Sequence, residues 1–393
     1  MHIPLKKHSV ALAMALLAAS SQAQTHAEWQ AQIEQLRVQM QQMQQELQAL
    51  KQAAQPTATA DPTSANTAVN TATAQVLPAV PVPAPEEPRV NLFGYGEMLY
   101  TRPRADASQA LATARRAVLG LAYRFNERTR LAAELEVENA VVSAGDQGEL
   151  AFEQLYIEHD VSAGLSAKMG LFLLPIGYMN EAHEPTRYLG VTRNLVETAI
   201  IPTTWRELGV GLQGRTERGW RWNAGLVTSF DLSRWPGEAA QTRESPLGTI
   251  HQEGQLARAA SSATYGALNY DGVPGLNVGG SLYSGGMGQK QAGLPAAQAK
   301  VQLTELHARW QAGRWDLSTL AALGRFSGVA DFNASAASGG NPVPDQFRGA
   351  YVQAAYRLWQ GGEQSLLPFA RYERVNTAVG FSGLPPGLQP AAT

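Results

Sequence analysis

Residues 115–138 read RRAVLGLAYRFNERTRLAAELEVE. This stretch decides the fold because it contains two consecutive segments in which apolar and polar side chains alternate. Successive side chains of a β-strand point to opposite faces, so each half predicts a strand with one apolar and one polar face. The three residues 126–128 fit a tight turn between antiparallel strands. The apolar faces hold Ala117, Leu119, Leu121, Tyr123 and Phe125, then Leu131, Ala133, Leu135 and Val137. The polar faces hold Arg116, Gly120 and Arg124, then Arg130, Glu134, Glu136 and Glu138.

Strand-like segments recur from residue 89 onward, and short links alternate with long ones between them. The short links lie at 126–128, 160–163, 218, 271–274, 311–313 and 360–364, and the long ones at 102–114, 139–148, 174–206, 231–257, 285–298 and 327–345. Thirteen strands are expected, at 90–101, 115–125, 129–138, 149–159, 164–173, 207–217, 219–230, 258–270, 275–284, 299–311, 314–326, 346–359 and 365–375.

This rhythm predicts an all-β fold, an antiparallel transmembrane β-barrel over residues 89–393, with short periplasmic turns and long surface loops. Nothing forces a soluble β-sandwich to alternate its loop lengths in this way. The charged fraction supports a barrel bounded by outer-membrane lipid, since 16% of residues are charged against about 25% in soluble proteins.

Several function classes are disfavoured by composition and motif. The net charge of −2 implies no polyanionic partner such as nucleic acid. The absence of cysteine removes disulfides, thiolate metal sites and cysteine nucleophiles. His183-Glu184-Pro185 lacks the second histidine of a zinc motif, and no helix follows the glycines of 209–214 to bind a nucleotide. We therefore expect no metal, no cofactor and no enzymatic activity.

The N-terminal 88 residues predict export and an extension before the barrel. Residues 1–23 have the basic start, apolar run and small-residue cleavage site of a signal peptide. Residues 55–88, rich in Pro, Ala and Thr, predict an extended linker.

Residues 24–54 predict a short α-helical coiled coil in the periplasm. Its apolar positions are spaced alternately by four and three residues, a period of 3.5 that favours self-association. Such a seam indicates an oligomer without fixing the number of helices, and a fraying monomeric helix is the alternative. The seam consists of Trp29, Ile33, Leu36, Met40, Met43, Leu47 and Leu50.

The number of expected strands is odd, whereas bacterial single-chain barrels contain an even number. We therefore expect a C-terminally truncated sequence whose complete barrel has about sixteen strands. A fourteen-stranded barrel with one unrecognised strand is the alternative.

Residues 170–214 resemble the phosphate-selective porin O/P family. The resemblance is carried by Phe172-Leu-Leu-Pro-Ile-Gly177, Asn180-Glu181, His183-Glu184-Pro185, Gly190, Arg193-Asn194, Glu197 and Ile201-Pro-Thr-Thr-Trp205, and also by Arg115-Arg-Ala-Val-Leu-Gly120. It implies a sixteen-stranded homotrimer in the bacterial outer membrane that passes small anions. Members of that family end in an aromatic strand, which this chain lacks.

The resemblance implies that phosphate selectivity in that family depends on arginines and lysines that line the pore. This sequence departs from that pattern. Residues 89–393 contain 27 basic and 27 acidic residues, and Lys168, Lys290 and Lys300 are the lysines among them. The sign of any ion selectivity therefore stays open.

The connection 174–206 is long and contains apolar groups around Val196 and Ile200, so we expect it to fold into the lumen and narrow it. Arg193 and Glu197 are four residues apart and could pair, either as an electrostatic filter or to fix the loop to the wall. The candidate pore residues are Arg116, Arg124, Arg130, Glu134, Lys168, Glu181, Arg187, Arg193, Glu197 and Arg206.

These observations favour a porin through which small hydrophilic solutes, anions such as phosphate among them, diffuse passively. The alternative is a structural barrel whose coiled coil tethers the membrane to the cell wall or to a periplasmic partner.

Overall fold

The computed structural model describes residues 89–143, 148–235, 242 and 244–388. The expected signal peptide (1–23), coiled coil (24–54) and linker (55–88) lie outside the described residues.

One antiparallel sheet of thirteen strands forms the body of the protein, and each strand pairs with its neighbours in sequence. The expected all-β architecture is confirmed. The edges of the sheet are its first and last strands. The strands are β1 Val90–Thr101, β2 Leu111–Arg124, β3 Thr129–Glu138, β4 Leu150–Ser162, β5 Leu165–Leu173, β6 Arg206–Arg215, β7 Trp220–Thr228, β8 Ser262–Val273, β9 Leu276–Gly286, β10 Lys300–Ala312, β11 Trp315–Ser327, β12 Gln346–Tyr356 and β15 Phe369–Val379.

The twelfth link differs from the expected five-residue turn. Strand β12 ends at Tyr356 rather than at 359, and β15 begins at Phe369 rather than at 365. Between them, β13 Trp359–Gly361 and β14 Gln364–Leu366 form a separate two-stranded ribbon. Pro368 precedes the last strand, and a proline has no N–H to donate to a strand ladder; its carbonyl accepts from the Tyr356 amide at 3.0 Å.

Helices are short in the described part of the chain. Helix α1 spans Pro246–Ile250 and α2 spans Ala330–Ala334. Single 3₁₀ turns occupy Ala107–Gln109, Pro185–Arg187, Leu232–Arg234 and Ala336–Ser338, and Val196–Ile200 is a π-type turn. None of these described helices is long and apolar enough to cross a bilayer.

The two faces of the sheet differ in chemistry, as the alternation predicts. The outward face exposes large apolar side chains along the strands, among them Leu119, Met169, Leu282, Leu306 and Val352. A water-soluble protein rarely exposes so continuous an apolar surface. The pattern is that of a barrel wall, in which lipid-facing and lumen-facing residues alternate.

The long loops pack together inside the sheet at one end, which we call the long-loop end; the opposite end is the short-turn end. There Trp205, Phe230 and Tyr283 are fully or almost fully buried, and the rings of Phe230 and Tyr283 lie 5.2 and 4.7 Å from the Trp205 ring. This hydrophobic core also includes residues from the loops 229–261, 287–299 and 328–345. It fixes the loops on the inward side of the strands.

The division into faces can be tested with two arginine substitutions on β6. Val210 points outward between Met169 and Leu226, so Val210→Arg should lower the free energy of unfolding by about 2–4 kcal/mol, as for arginine near the bilayer midplane. Gln213→Arg, inward and beside Glu158, is the matched control and should stay within about 0.5 kcal/mol. Urea unfolding from lipid vesicles measures both; equal losses would contradict the assigned faces.

Candidate functional site

Residues 174–205, the inward loop, connect β5 to β6 and run across the inside of the sheet. On one side His183 Nε2 lies 3.2 Å from Glu153 Oε2 on β4. On the other side the Leu195 amide donates to Glu373 Oε2 on β15 at 2.7 Å. The loop therefore contacts strands from opposite parts of the sheet and occupies the lumen between them.

Apolar side chains explain why this loop lies inside. Val196, Ile200 and Ile201 are at most 1% exposed and belong to the same core as Trp205. Burying one such side chain contributes roughly 1.5–3 kcal/mol. An exposed loop would forgo that gain.

Glu197 holds the inward loop in its fold. Its carboxylate accepts from the Tyr178 and Met179 amides at 2.5 and 2.7 Å and from Asn194 Nδ2 at 2.8 Å. The Tyr351 hydroxyl of β12 adds a fourth contact at 3.3 Å. Burial raises the pKa of this carboxyl, and the hydrogen bonds oppose that shift. Glu197 is 3% exposed, so it serves as an anchor between loop and wall.

Asn180 closes the base of the same loop. Its side-chain amide donates to the carbonyls of Leu174 and Trp205 at 2.7 and 2.9 Å, and its oxygen accepts from the Trp205 amide at 2.7 Å. The two ends of a connection of more than thirty residues are thereby joined by one side chain.

The possible ion pair between Arg193 and Glu197 is not formed. Arg193 donates to the His183 carbonyl at 2.9 Å instead. Glu197 has φ −94° and ψ 27° within the π-type turn, so the segment is not a regular helical turn. The four-residue spacing that would align the pair on an α-helix does not apply there.

Arg116 is neutralised on the wall of β1–β3. Its guanidinium lies 3.1 Å from Glu97 and 3.0 Å from Glu136, with Glu138 at 3.8 Å. The side chain is 10% exposed. An arginine held by three carboxylates presents little net positive field to a passing solute.

A β-bulge brings a further carboxylate into the lumen. Glu134 pairs with Gln154 and Leu135 pairs with Phe152, so Glu153 is an extra residue in β4. Bulges re-aim side chains and are frequent beside functional sites. Here the bulge directs the fully buried Glu153 toward His183 of the inward loop.

Glu134, Glu153 and His183 are the residues of the described part that could hold a metal ion, since their ligand atoms lie within 4.8 Å of one another. In the structure these groups serve as hydrogen-bond partners. Gln154 donates to Glu134 Oε2 at 2.7 Å, and His183 contacts Glu153. We assign no ion to them.

A cavity of about 780 Å³, the vestibule, opens at the short-turn end. Arg130 lies 2.5 Å from Glu158 and 3.1 Å from Asp160, so it is paired within this cavity. Glu181 of the inward loop is 51% exposed and lies 3.9 Å from Lys168 on β5. The charged lining consists of Arg128, Arg130, Arg215, Arg221, Glu158, Asp160 and Glu181.

The remaining candidates lie at the two ends of the barrel. Arg124 lies opposite Arg130 at the short-turn end of β2. Arg187 is an exposed loop residue 3.4 Å from Glu184. Arg206, at the long-loop end of β6, lies 3.5 Å from Glu253. They are not gathered with Lys168 and Glu181 into one constriction.

The pairing of Arg206 with Glu253 is part of a small network. His251 Nδ1 lies 3.5 Å from Glu253 Oε1, and its ring packs against Trp205. The hydrogen bond from His251 lowers the pKa of Glu253 to about 2, with Arg206 adding to the effect and burial opposing it.

Sequence reasoning missed Glu97, Glu153, Tyr351 and Glu373. Bulges and contacts between distant strands leave no local periodic signal, so no motif marks these four. His183 was considered as part of a metal motif rather than as a wall contact, and its polar sequence neighbours Glu181 and Glu184 give no signal that would place it inside.

No protein-family profile matches the chain. An uncharacterized protein of Aquifex aeolicus (strain VF5) is 29% identical over 300 residues, covering 73% of this chain and 66% of that protein. The chain therefore spans slightly less than two thirds of this relative's length.

Three solved structures are similar to the chain, each with a TM-score below 0.5. OmpF of Salmonella typhi has 10% identity and a TM-score of 0.46, covering 73% of this chain and 78% of its own. An anion-selective porin from Comamonas acidovorans has 15% identity and a TM-score of 0.42, covering 72% of this chain and 77% of its own. The outer membrane channel DcaP of Acinetobacter baumannii has 11% identity and a TM-score of 0.37, covering 73% of this chain and 90% of its own. The selectivity named for the Comamonas porin is a property of that protein.

Removing the Glu197 charge should loosen the inward loop. In Glu197→Gln an amide NH₂ group replaces one carboxylate oxygen, so a donor faces the N–H groups that the oxygen accepts from. The lost hydrogen bond costs about 1–3 kcal/mol of stability. We expect faster trypsin cleavage after Arg187 or Arg193. Glu184→Gln, on the same loop but more exposed, is the matched control; equal cleavage rates in the two variants would contradict the anchoring role.

Acid should release the network around Glu253. A carboxyl whose pKa is lowered by folding contributes stability above its ordinary pKa and loses it as pH falls toward the folded value. We therefore expect the near-ultraviolet circular dichroism of Trp205 to change between about pH 4.5 and pH 2. Glu253→Gln should lack this component; an unchanged transition in the variant would contradict the assignment.

Proposed function

We propose that the chain is a bacterial outer-membrane porin through which small hydrophilic solutes diffuse passively, and that it catalyses no reaction. One observation carries this proposal: a sheet with an apolar outward face encloses a loop that is fixed across its charged inward side. A loop of this kind narrows the lumen and leaves a path for small solutes. No cofactor and no energy source are required.

Size selection follows from the inward loop. Glu197 and Asn180 hold it at both of its ends, so its position does not depend on the solute. A solute entering from the short-turn end first meets the vestibule, whose lining includes the exposed carboxylate of Glu181. Pore diameter and the groups lining it determine what passes.

Charge selection should be weak, because most lumen charges have a partner. Arg116 and Arg130 each lie within 3.1 Å of carboxylates. Arg128 and Arg215 line the vestibule and make no ion pair with another described residue. Guanidinium groups bind oxyanions through paired N–H donors, so anions such as phosphate are the solutes that these two arginines favour.

The proposed assembly is a homotrimer with the coiled coil in the periplasm. The seam from Trp29 to Leu50 supports an oligomer, because its period of 3.5 favours association with a second helix. The number of three copies rests on the resemblance to the phosphate-selective porin O/P family. Placing the short-turn end at the periplasm agrees with an N-terminal extension that precedes β1, because β1 begins at that end.

Planar-bilayer recording tests the function. The full-length native protein should insert and give stepwise ohmic conductance, with a small reversal potential across a potassium chloride gradient. Glu181→Lys should shift that potential toward anions, since it adds a cation beside Lys168. Glu363→Lys, in the turn of the ribbon outside the sheet, is the matched control and should leave it unchanged.

Insertion without conductance would overturn the channel and favour the structural anchor. A reversal potential unaffected by Glu181→Lys would overturn the vestibule as part of the path. Chloride current reduced by millimolar phosphate, and restored in Arg128→Gln/Arg215→Gln, is the result expected for the anion preference.

A further inference from the structure

Four cations point outward on four neighbouring strands. Lys300, Arg325, Arg348 and Arg374 belong to β10, β11, β12 and β15, and all four are exposed. Along each strand they alternate with inward side chains and share a face with apolar ones such as Leu323 and Ala350. Cations on a barrel wall are costly unless they find a counter-charge or lie near the bilayer interface.

The three arginines are close to one another along a diagonal of the sheet. Arg325 pairs with Gln346, two residues from Arg348. Arg348 in turn pairs with Asn376, two residues from Arg374. Diagonal neighbours on one face are about 7–8 Å apart, within reach of long side chains. Neighbouring arginines on this diagonal can therefore contact the same ligand.

The described protein offers these arginines no counter-charge. None of the three makes an ion pair or a side-chain hydrogen bond with another described residue. No outward-facing position in the described strands carries Asp or Glu. Arg206 shows the contrast, because Glu253 of a loop neutralises it. The wall of a second copy would not supply the missing negative charge either.

The position of Arg325 along its strand matches the level of lipid headgroups. Trp315, which packs against Tyr356 at the short-turn end, marks one interface. Arg325 is ten residues further along β11, about 33 Å of strand. At a tilt of about 40° this corresponds to roughly 25 Å in height, the thickness of the apolar band.

An apolar groove continues from the arginines along the wall. A cavity of about 660 Å³ is lined by Arg348 and Arg374, by apolar residues such as Leu306, Ala321 and Ala350, and also by Thr304, Glu305 and Asn376. The carboxylate of Glu305 is 1% exposed and contacts His307, so it does not neutralise the arginines. A second cavity of about 550 Å³ adjoins the same strands nearer the short-turn end, between Trp310 and Tyr372. Small side chains in these strands leave room beside the larger ones, as an acyl chain requires.

We propose that this face binds a phosphorylated glycolipid of the outer leaflet, a lipopolysaccharide. The phosphates lie among Arg325, Arg348 and Arg374, and an acyl chain lies in the groove. Charge-assisted hydrogen bonds from guanidinium to phosphate supply the specificity. The proposal rests on the membrane placement of the proposed function and not on conduction, so bilayer conductance and lipid binding can fail separately.

Lipid binding to the full-length, detergent-solubilised protein tests the proposal. Native mass spectrometry would compare diphosphorylated lipid A, its dephosphorylated form and phosphatidylcholine. The wild type should prefer the diphosphorylated lipid. Arg325→Gln/Arg348→Gln/Arg374→Gln should bind it about 100-fold more weakly, at the effect expected for three interfacial cations. Arg102→Gln/Arg104→Gln/Arg187→Gln, which removes three other exposed arginines, is the matched control and should bind like wild type.

A second variant tests the groove without changing charge. Ala321→Trp should weaken the binding of acylated lipid while the variant still prefers phosphorylated over dephosphorylated lipid. Equal affinity of the wild type for both forms of lipid A would overturn the proposal, as would wild-type affinity in the arginine triple variant. Loss of oligomers in that variant with unchanged lipid affinity would show that the face contacts a second copy instead.

Discussion

The carboxylate of Glu197 is the interaction on which the lumen depends. A buried charged group is tolerated when hydrogen bonds replace its lost hydration, and here two backbone amides, an asparagine and a tyrosine do so. The loop that these contacts fix carries His183 to the β4 wall and Glu181 to the vestibule. The geometry of the whole interior follows from where this loop lies.

The period of two in the strands gives each face a different physical task. Outward positions supply the apolar surface that a bilayer requires, and inward positions supply charges that pair across neighbouring strands. Arg116 of β2 illustrates the second task, since it lies between Glu97 of β1 and Glu136 of β3. Arg130 of β3 likewise pairs with two carboxylates of β4, Glu158 and Asp160. A lumen built from such pairs is polar without a strong field of either sign. The outward arginines of β11, β12 and β15 depart from this division, which is why they call for a partner in the membrane.

Alternation and turn spacing were enough to predict the strands. The thirteen expected strands are present, and β1 and β3 have the expected bounds. Alternation is informative because a shift of one residue would exchange the apolar and polar faces of a strand. The details that failed depend on local backbone geometry. Pro368 moved the start of the last strand, and the π-type turn at Glu197 separated it from Arg193. Glu153 could not be placed, because the bulge that directs it inward is a property of how β3 and β4 pair.

The ribbon of β13 and β14 has a practical consequence. It stands apart from the main sheet, and its residues are all exposed. The link between Tyr356 and Pro368 closes the ladder below it, so the wall does not depend on the ribbon's turn. At its tip Gly362 has a positive φ and open space around its Cα. A peptide epitope or fluorophore attached there would report on one side of the membrane while leaving the inward loop undisturbed.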